Sequence, residues 1–401
     1  MLADLSLDIA IAGCGVAGLA SATLLRQAGA RVVIYDRLET PKPIGSGIIL
    51  QPVGLHVLDA FGVGDAMRAL GAPIKRLHGK NTPRQNVVLD VRYDAAGKDA
   101  PCGLGVHRGA LFQLLYDAAL GAGAEIESGR EVFSARDGRL HFADGAKSAR
   151  FDLVIDALGA RSPLSRQPHA PLPFGALWSS LDWVDGFDNA ALEQRYLAAR
   201  KMAGFMPIGR LKGEARQQGA FFWSLKHTER ADWRTAPLEA WKDEVRALWP
   251  QTEPLLAQIA SHDDLVFASY AHRTLREPVS RHCVHVGDAW HCTSPQLGQG
   301  ANMALLDALA LTQALASQSN LDVALGEYAR MRLWHIRLYQ AASWMFTPAY
   351  QSDSAAFAAF RDWIMAPLSR TWPAPQVLAA LVAGQIGAPL AAIGTGERVL
   401  A

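Results

Sequence analysis

Three glycines, Gly13, Gly15 and Gly18, stand directly after an apolar pentapeptide, Asp8–Ala12, and open a stretch with helical spacing. In that setting the spacing has a chemical use. Gly13 permits a tight turn, Gly15 lets a pyrophosphate approach the backbone, and Gly18 lets helix and strand pack closely. The helix start at Val16 and Ala17 then offers free N–H groups and the positive end of a dipole to phosphate. Asp36 closes the next β-branched run, RVVIY, 18 residues past Gly18. A carboxylate there accepts hydrogen bonds from a ribose diol and repels a 2′-phosphate. These residues imply a dinucleotide with a free adenosine ribose, FAD or NAD. A second constellation lies far downstream. Gly287-Asp288 ends an apolar run, Pro295 sits in the following loop, and Gly298-Gln299-Gly300-Ala301-Asn302 opens another helix. That helix start would offer N–H donors to an anion or an electron-rich carbonyl, and Asp288 would hold a polyol.

Other clusters carry blander readings. Cys283, His285, His291 and Cys292 have the residue types of a tetrahedral zinc site. Two of them precede Gly287-Asp288 in a strand and two follow it, so the chain would have to double back within a few residues; no metal is expected. Gly103, Gly105 and Gly109 imitate a nucleotide loop, but the preceding DAAGKDAP makes no strand. They read as a loop leading into a helix at Ala110. Trp178, Trp183, Phe205, Phe221, Phe222 and Trp223 gather in one region. Most should be core, with about a third lining an apolar ligand pocket. No Ser-His-Asp arrangement or Gly-x-Ser-x-Gly elbow is readable. No catalytic base is identifiable; His227 and His272 are candidates only because imidazole titrates near neutrality.

The elements that must position these groups follow from apolar patterning. Asp8–Ala12, a helix from Val16 to Ala28 ending at Gly29, and Arg31–Tyr35 form a βαβ unit. Ala110–Leu120 reads as a helix, and Asp137-Gly138 and Asp144-Gly145 mark hairpin turns within 124–151. Phe151–Leu158 and Cys283–Val286 read as buried strands, and Ala301–Leu315 as a helix. Between 171 and 270 the texture is that of a separate sheet with a helix near Ala236–Trp249. Residues 330–401 read as helical. The chain has 401 residues, 50% hydrophobic and 19% charged, which excludes a disordered protein. Lys+Arg 39 against Asp+Glu 38 leaves no electrostatic footprint for nucleic acid. Four cysteines fit a reducing compartment, the cytoplasm, rather than a disulfide scaffold. The N-terminal apolar run follows Asp4 and Asp8 without a basic residue, unlike a signal peptide. The apolar stretch Val377–Gly394 is interrupted by Gly384, Gly387 and Pro389, so a packed terminal helix and loop is expected rather than a membrane span.

With these residues in place, the chain resembles the FAD-dependent monooxygenases related to para-hydroxybenzoate hydroxylase, the group A flavoprotein hydroxylases. The resemblance covers roughly residues 8–330. It rests on GCGVAG with Asp36-Arg37, on IGSGIILQPVGLHVLDAFGV with Ser46 and Gly47, on HRGALFQLL with Arg108, and on GDAWHCTSPQLGQGAN. It implies an α/β fold: a Rossmann-like FAD-binding domain of the glutathione-reductase type, an inserted antiparallel-sheet substrate domain, and C-terminal helices. The implied FAD-domain pieces are 1–72, 101–172 and 273–330, with a substrate domain at 73–100 and 173–272 and a helical segment at 331–401. By the same resemblance Gly13, Gly15, Val16, Ala17 and Gly18 border the pyrophosphate, and Asp36 binds the adenosine ribose. Arg37 and Val132 lie near the adenine, and Arg108 near the phosphates. Gly287 and Asp288 meet the ribityl chain or phosphate, Pro295 lines the flavin ring, and Gly298, Gln299, Gly300, Ala301 and Asn302 face its N1–C2=O edge. The implied activity is hydroxylation of a small-molecule or carrier-tethered aromatic by O₂ through a flavin C4a-hydroperoxide, with NADH or NADPH as reductant. One departure bears on the reductant. Where the family has an aspartate in a GADG run, this chain has Asp156-Ala157-Leu158-Gly159. Leu158 keeps open a FAD-dependent reductase or dehydrogenase that does not use O₂. A flavin-free binding protein on the same scaffold is a separate alternative, against which the intact Gly and Asp positions of both motifs argue.

Overall fold

A computed structural model describes residues 5–42, 46–165, 167 and 170–395. Ile44 and Gly45 of the segment after the second strand, and the residues before Leu5, lie outside these. The βαβ unit forms as its patterning requires: strand Asp8–Ala12, helix Val16–Gln27 and strand Arg31–Tyr35. These two strands pair in parallel, Ala10 opposite Val33. They sit in a six-stranded sheet ordered 279–280, 283–285, 153–156, 8–12, 31–35, 125–127. Apart from the short hairpin between 279–280 and 283–285, every pairing in it is parallel. Parallel strands are buried on both faces, which is why Ile9–Ala12 and Leu153–Asp156 are fully covered. The helix Gly300–Ser317 packs along Val16–Gln27 with Leu305, Leu309 and Ala308 in the same core.

A second, seven-stranded sheet is ordered 266–268, 174–182, 218–226, 201–209, 191–197, 76–81, 87–92. It is antiparallel except where Ala191–Leu197 meets Arg76–Asn81. The helix Leu238–Leu248 covers one face of it. A three-stranded sheet of 47–50, 103–107 and 72–74 links the two. Gly105 lies so close to Pro207 that an added Cβ would stand 2.1 Å from its carbonyl oxygen, so only glycine fits.

That small sheet corrects one expectation. Gly103–His107 is a strand, paired antiparallel with Gly47–Leu50 and Ala72–Ile74, and not a loop. The helix begins immediately after it, at Arg108. Within 124–151, Val132–Arg136 and Arg139–Phe142 form the expected hairpin, whereas Glu125–Glu127 joins the parallel sheet. The last part of the chain is helical: Leu321–Tyr350, a continuous helical run over 355–368, Ala374–Val382 and Pro389–Ile393. No helix among the described residues is long and apolar enough to cross a membrane.

Candidate active site

Both glycine motifs end at one cavity of about 1240 Å³. Its walls include Gly13, Gly15, Val16, Ala17, Asp36, Arg37, Ser46, Gly47, Arg108 and Val132, and, from the distant segment, Asp288, Pro295, Gly298, Gln299, Gly300 and Ala301. The other three sequence candidates stand behind the wall. At Gly18 a Cβ would lie 2.0 Å from the Gly13 carbonyl oxygen, so its role is helix–strand packing. Gly287, at φ +56, donates its N–H to Asp307 Oδ2 at 2.8 Å. Asn302 is fully buried. Its Oδ1 accepts from Gln51 N at 2.8 Å, and its Nδ2 donates to the carbonyls of Ile49 and Gly298 at 3.2 and 3.0 Å. It therefore fastens the start of the Gly300–Ser317 helix to the strand Gly47–Leu50.

The wall has the chemistry of a dinucleotide cradle. A Cβ on Gly15 would meet nothing within 4 Å, so the space beside that backbone is open for a ligand. Two helix N-termini face the same cavity with amides that have no intrahelical acceptor. Asp36 already binds the loop, with Oδ2 accepting from Cys14 N at 2.8 Å and Oδ1 from Leu38 N at 2.9 Å. Each oxygen keeps a second lone pair for a ribose hydroxyl. Arg108 reaches the cavity without an ion pair among the described residues. Burial holds its pKa below the ordinary arginine value, against the pull of Asp288 and Tyr270. Burial likewise pushes the Asp288 carboxyl up, opposed by His291, Arg108 and Arg273. An unpaired guanidinium beside open glycine backbone suits a pyrophosphate, and a carboxyl with raised proton affinity suits a polyol. The residues fit FAD.

The opposite wall is apolar. Trp178 and Phe222 are cross-strand partners on the seven-stranded sheet, with ring centroids 4.6 Å apart. Trp178 Nε1 donates to Tyr270 Oη at 2.8 Å. Of the six aromatics that the sequence singles out, only these two line the cavity. Trp183, Phe205, Phe221 and Trp223 point to the other face, against Trp241 and Trp249. Alternation along the strand separates Phe222 from its neighbours.

Neither candidate histidine reaches the wall. His227 contacts Ser269 Oγ at 3.1 Å, and His272 stands behind Thr293 at 3.2 Å. Burial lowers the pKa of both. The Cys/His cluster is likewise divided among separate tasks. His285 Nδ1 meets Asp156 Oδ2 and His291 Nε2 meets Asp307 Oδ2, each at 2.6 Å. Burial pushes the Cys283 thiol up to about 12 and that of Cys292 to about 11, which disfavours thiolates. Leu158 lines the cavity and packs against the core cluster of Ala12, Tyr35 and Val132, while its N–H donates to Asp156 Oδ1 at 3.1 Å.

Several wall residues carry no sequence signal of their own. Gln51 accepts from Tyr93 Oη at 2.5 Å and lies beneath Gly298. The C-terminal helices contribute Met365, Leu368, Val377 and Leu378. Gln299 Nε2 donates to Val382 O at 2.7 Å, tying the Ala374–Val382 helix to the second glycine motif.

Comparison with known proteins gives concordant findings. Residues 6–333 match the family model described as "FAD binding domain". The aurachin C monooxygenase/isomerase of Stigmatella aurantiaca is 26% identical over 390 residues, spanning 92% of this chain and 96% of that protein. A putative 2-heptyl-3-hydroxy-4(1H)-quinolone synthase of Rhodococcus erythropolis is 28% identical over 331 residues, 79% and 82% of the two chains. The tetrameric form of 2-methyl-3-hydroxypyridine-5-carboxylic acid oxygenase has the same fold. Its TM-score is 0.79 at 21% identity, covering 96% of this chain and 98% of that one.

Proposed function

The chain belongs to the FAD-binding-domain family of flavoprotein monooxygenases, and on that premise we propose that it hydroxylates an aromatic substrate held between the flavin site and the seven-stranded sheet. The observation that carries this reading is one shared cavity, lined by both glycine motifs and by Trp178 and Phe222. A reductase acting without O₂ would use the first wall equally well, but the relatives named above are a monooxygenase/isomerase and a putative hydroxyquinolone synthase.

When bound and reduced, FAD supplies the activation of O₂. The chain's own residues bind, orient and exclude water. Gly13, Gly15, Val16 and Ala17 would hold the pyrophosphate with Arg108, and Asp36 the adenosine ribose, with Arg37 and Val132 at the adenine. Asp288 would hold the ribityl chain, and Pro295 the ring face. The amides from Gly298 to Ala301 would stabilise negative charge at the N1–C2=O edge, where the helix dipole is favourable. Ser46 and Gly47 would border the ring beside the small sheet, with Ser46 Oγ fixed by Ser180 Oγ at 2.8 Å. The apolar wall excludes water from the reacting centre. NADH or NADPH is the proposed reductant, and the segments 73–100 and 173–272 form the proposed substrate domain. A small or carrier-tethered aromatic and a cytoplasmic location complete the reading. The test is O₂-dependent hydroxylation by the purified protein across a panel of hydroxylated aromatics. Turnover with equal yield in the absence of O₂ would sink it.

A further inference from the structure

Ten of the fifteen exposed large apolar side chains among the described residues fall between Trp334 and Val377. The strongest alignment is on the helical run 355–368. Phe357, Phe360, Ile364 and Leu368 recur at three- and four-residue spacing and all face solvent, while Ala358, Arg361 and Ala366 on the other side are buried. Trp363 is 65% exposed beside this stripe, and Trp372 beyond it is 82% exposed. An isolated exposed apolar residue needs no explanation, but a contiguous helical stripe marks a binding surface.

Both signs of charge stand around the stripe, but among the described residues the unpaired ones are cationic. From Trp363 to Thr395 the only ionisable side chain is Arg370, and it is exposed. The Arg84 guanidinium lies over the Trp363 ring at 5.3 Å. The acids on and against this run are already engaged: Asp362 by Arg361 and Asn81, Asp353 by Arg200 and Lys226, and Asp90, on the strand 87–92 packed against the run, by Arg76. The rim therefore offers Arg84 and Arg370 as cations, while the carboxylates among the described residues there are paired. Leu368 and Val377 are at once more than half exposed and part of the cavity wall, so the stripe runs into the cavity mouth. A folded protein partner seated there would seal the mouth. A fluid lipid surface would cover the stripe and leave the mouth open to apolar solutes. Tryptophan and aliphatic side chains with arginines at the edge are the composition of interfacial anchors.

We infer that the 355–377 face docks on the surface of an anionic lipid bilayer, with the cavity mouth turned toward it. The test is co-sedimentation of the purified holoprotein with vesicles of phosphatidylcholine containing phosphatidylglycerol. Capture is read from the protein itself, so it stands or falls separately from the assignment of the chemistry. The native protein should pellet with these vesicles and be released by high salt. The triple variant Phe360→Ser/Trp363→Ser/Ile364→Ser should lose at least about tenfold in partitioning, on the scale of apolar side chains withdrawn from an interface. It should keep its bound flavin, because none of the three lines the cavity. The control Leu120→Ser, exposed elsewhere, should pellet like the native protein. Absence of capture, or capture unchanged in the triple variant, overturns the inference. So does a native oligomer without vesicle capture that the triple variant converts to monomer, which would make the face a contact between copies.

Discussion

Replacing Asp307 by asparagine should cost this protein far more stability than one atom's difference suggests. The Asp307 carboxylate is fully buried and accepts three hydrogen bonds: from Gly287 N at 2.8 Å, His291 Nε2 at 2.6 Å and Arg332 Nε at 2.7 Å. Arg332 is itself fully buried, and its Nη2 has no partner among the described residues. An asparagine side chain at this position would turn an N–H toward one of these donors and leave the guanidinium without its counter-charge. Removing one partner of a buried pair costs about 3–5 kcal/mol, and that is the expected loss in guanidinium denaturation followed by tryptophan fluorescence. Burial alone would raise the Asp307 pKa, but the charges and hydrogen bonds of His291 and Arg332 outweigh it and hold the carboxyl below its ordinary value. A folded-state pKa lowered in this way stabilises above the ordinary carboxylate range, and the contribution is lost as pH falls through the lower, folded-state value. The native protein should therefore lose this part of its stability on acidification, and Asp307→Asn should not. The double change Asp307→Leu/Arg332→Met should recover only the share due to the unpaired guanidinium, because Gly287 N and His291 Nε2 still lose their acceptor. A cost for Asp307→Asn below about 1 kcal/mol, the scale of one ordinary hydrogen bond, would refute the argument.

Three further outcomes are expected. Asp36→Ala should weaken FAD by ~1–3 kcal/mol, the scale of a lost charge-assisted hydrogen bond, in a flavin-fluorescence titration. Gly15→Val should fold normally yet fail to retain flavin, because its side chain would enter open cavity space, whereas Gly18→Ala should fail to fold because its Cβ would collide with the Gly13 carbonyl; thermal melts and flavin content of the two proteins separate these roles. Direct reduction by NADH or NADPH should be slow with Leu158 in place, and Leu158→Asp should speed it while leaving FAD bound; stopped-flow bleaching with substrate present is the measurement, and fast native reduction unchanged by the substitution would count against a role for this position.

Much of the cofactor wall was legible because its requirements are local. The turn at Gly13, the helix start at Val16 and the strand end at Asp36 are set by residues within one βαβ unit. The second motif was legible for the same reason, since Gly298 at φ +62 and the following helix declare themselves within a few residues. What escaped depends on distant partners. Gly103–His107 has too many glycines to read as a strand, and its pairing is supplied by segments at 47–50 and 72–74. Gln51 becomes part of the site through Asn302, 251 residues away. The stripe Phe357, Phe360, Ile364 and Leu368 has the spacing of a core-facing helix; only its exposure distinguishes it from one.

If this cavity hydroxylates an aromatic with oxygen taken from O₂, isotope transfer shows it most directly. The purified holoprotein would be supplied with NADH or NADPH, heavy-oxygen-labelled O₂ and the aromatic that most accelerates bleaching of its flavin, and the product would be weighed by mass spectrometry. One labelled oxygen atom per product molecule is expected. A product formed without label, or formed equally well in the absence of O₂, would contradict it.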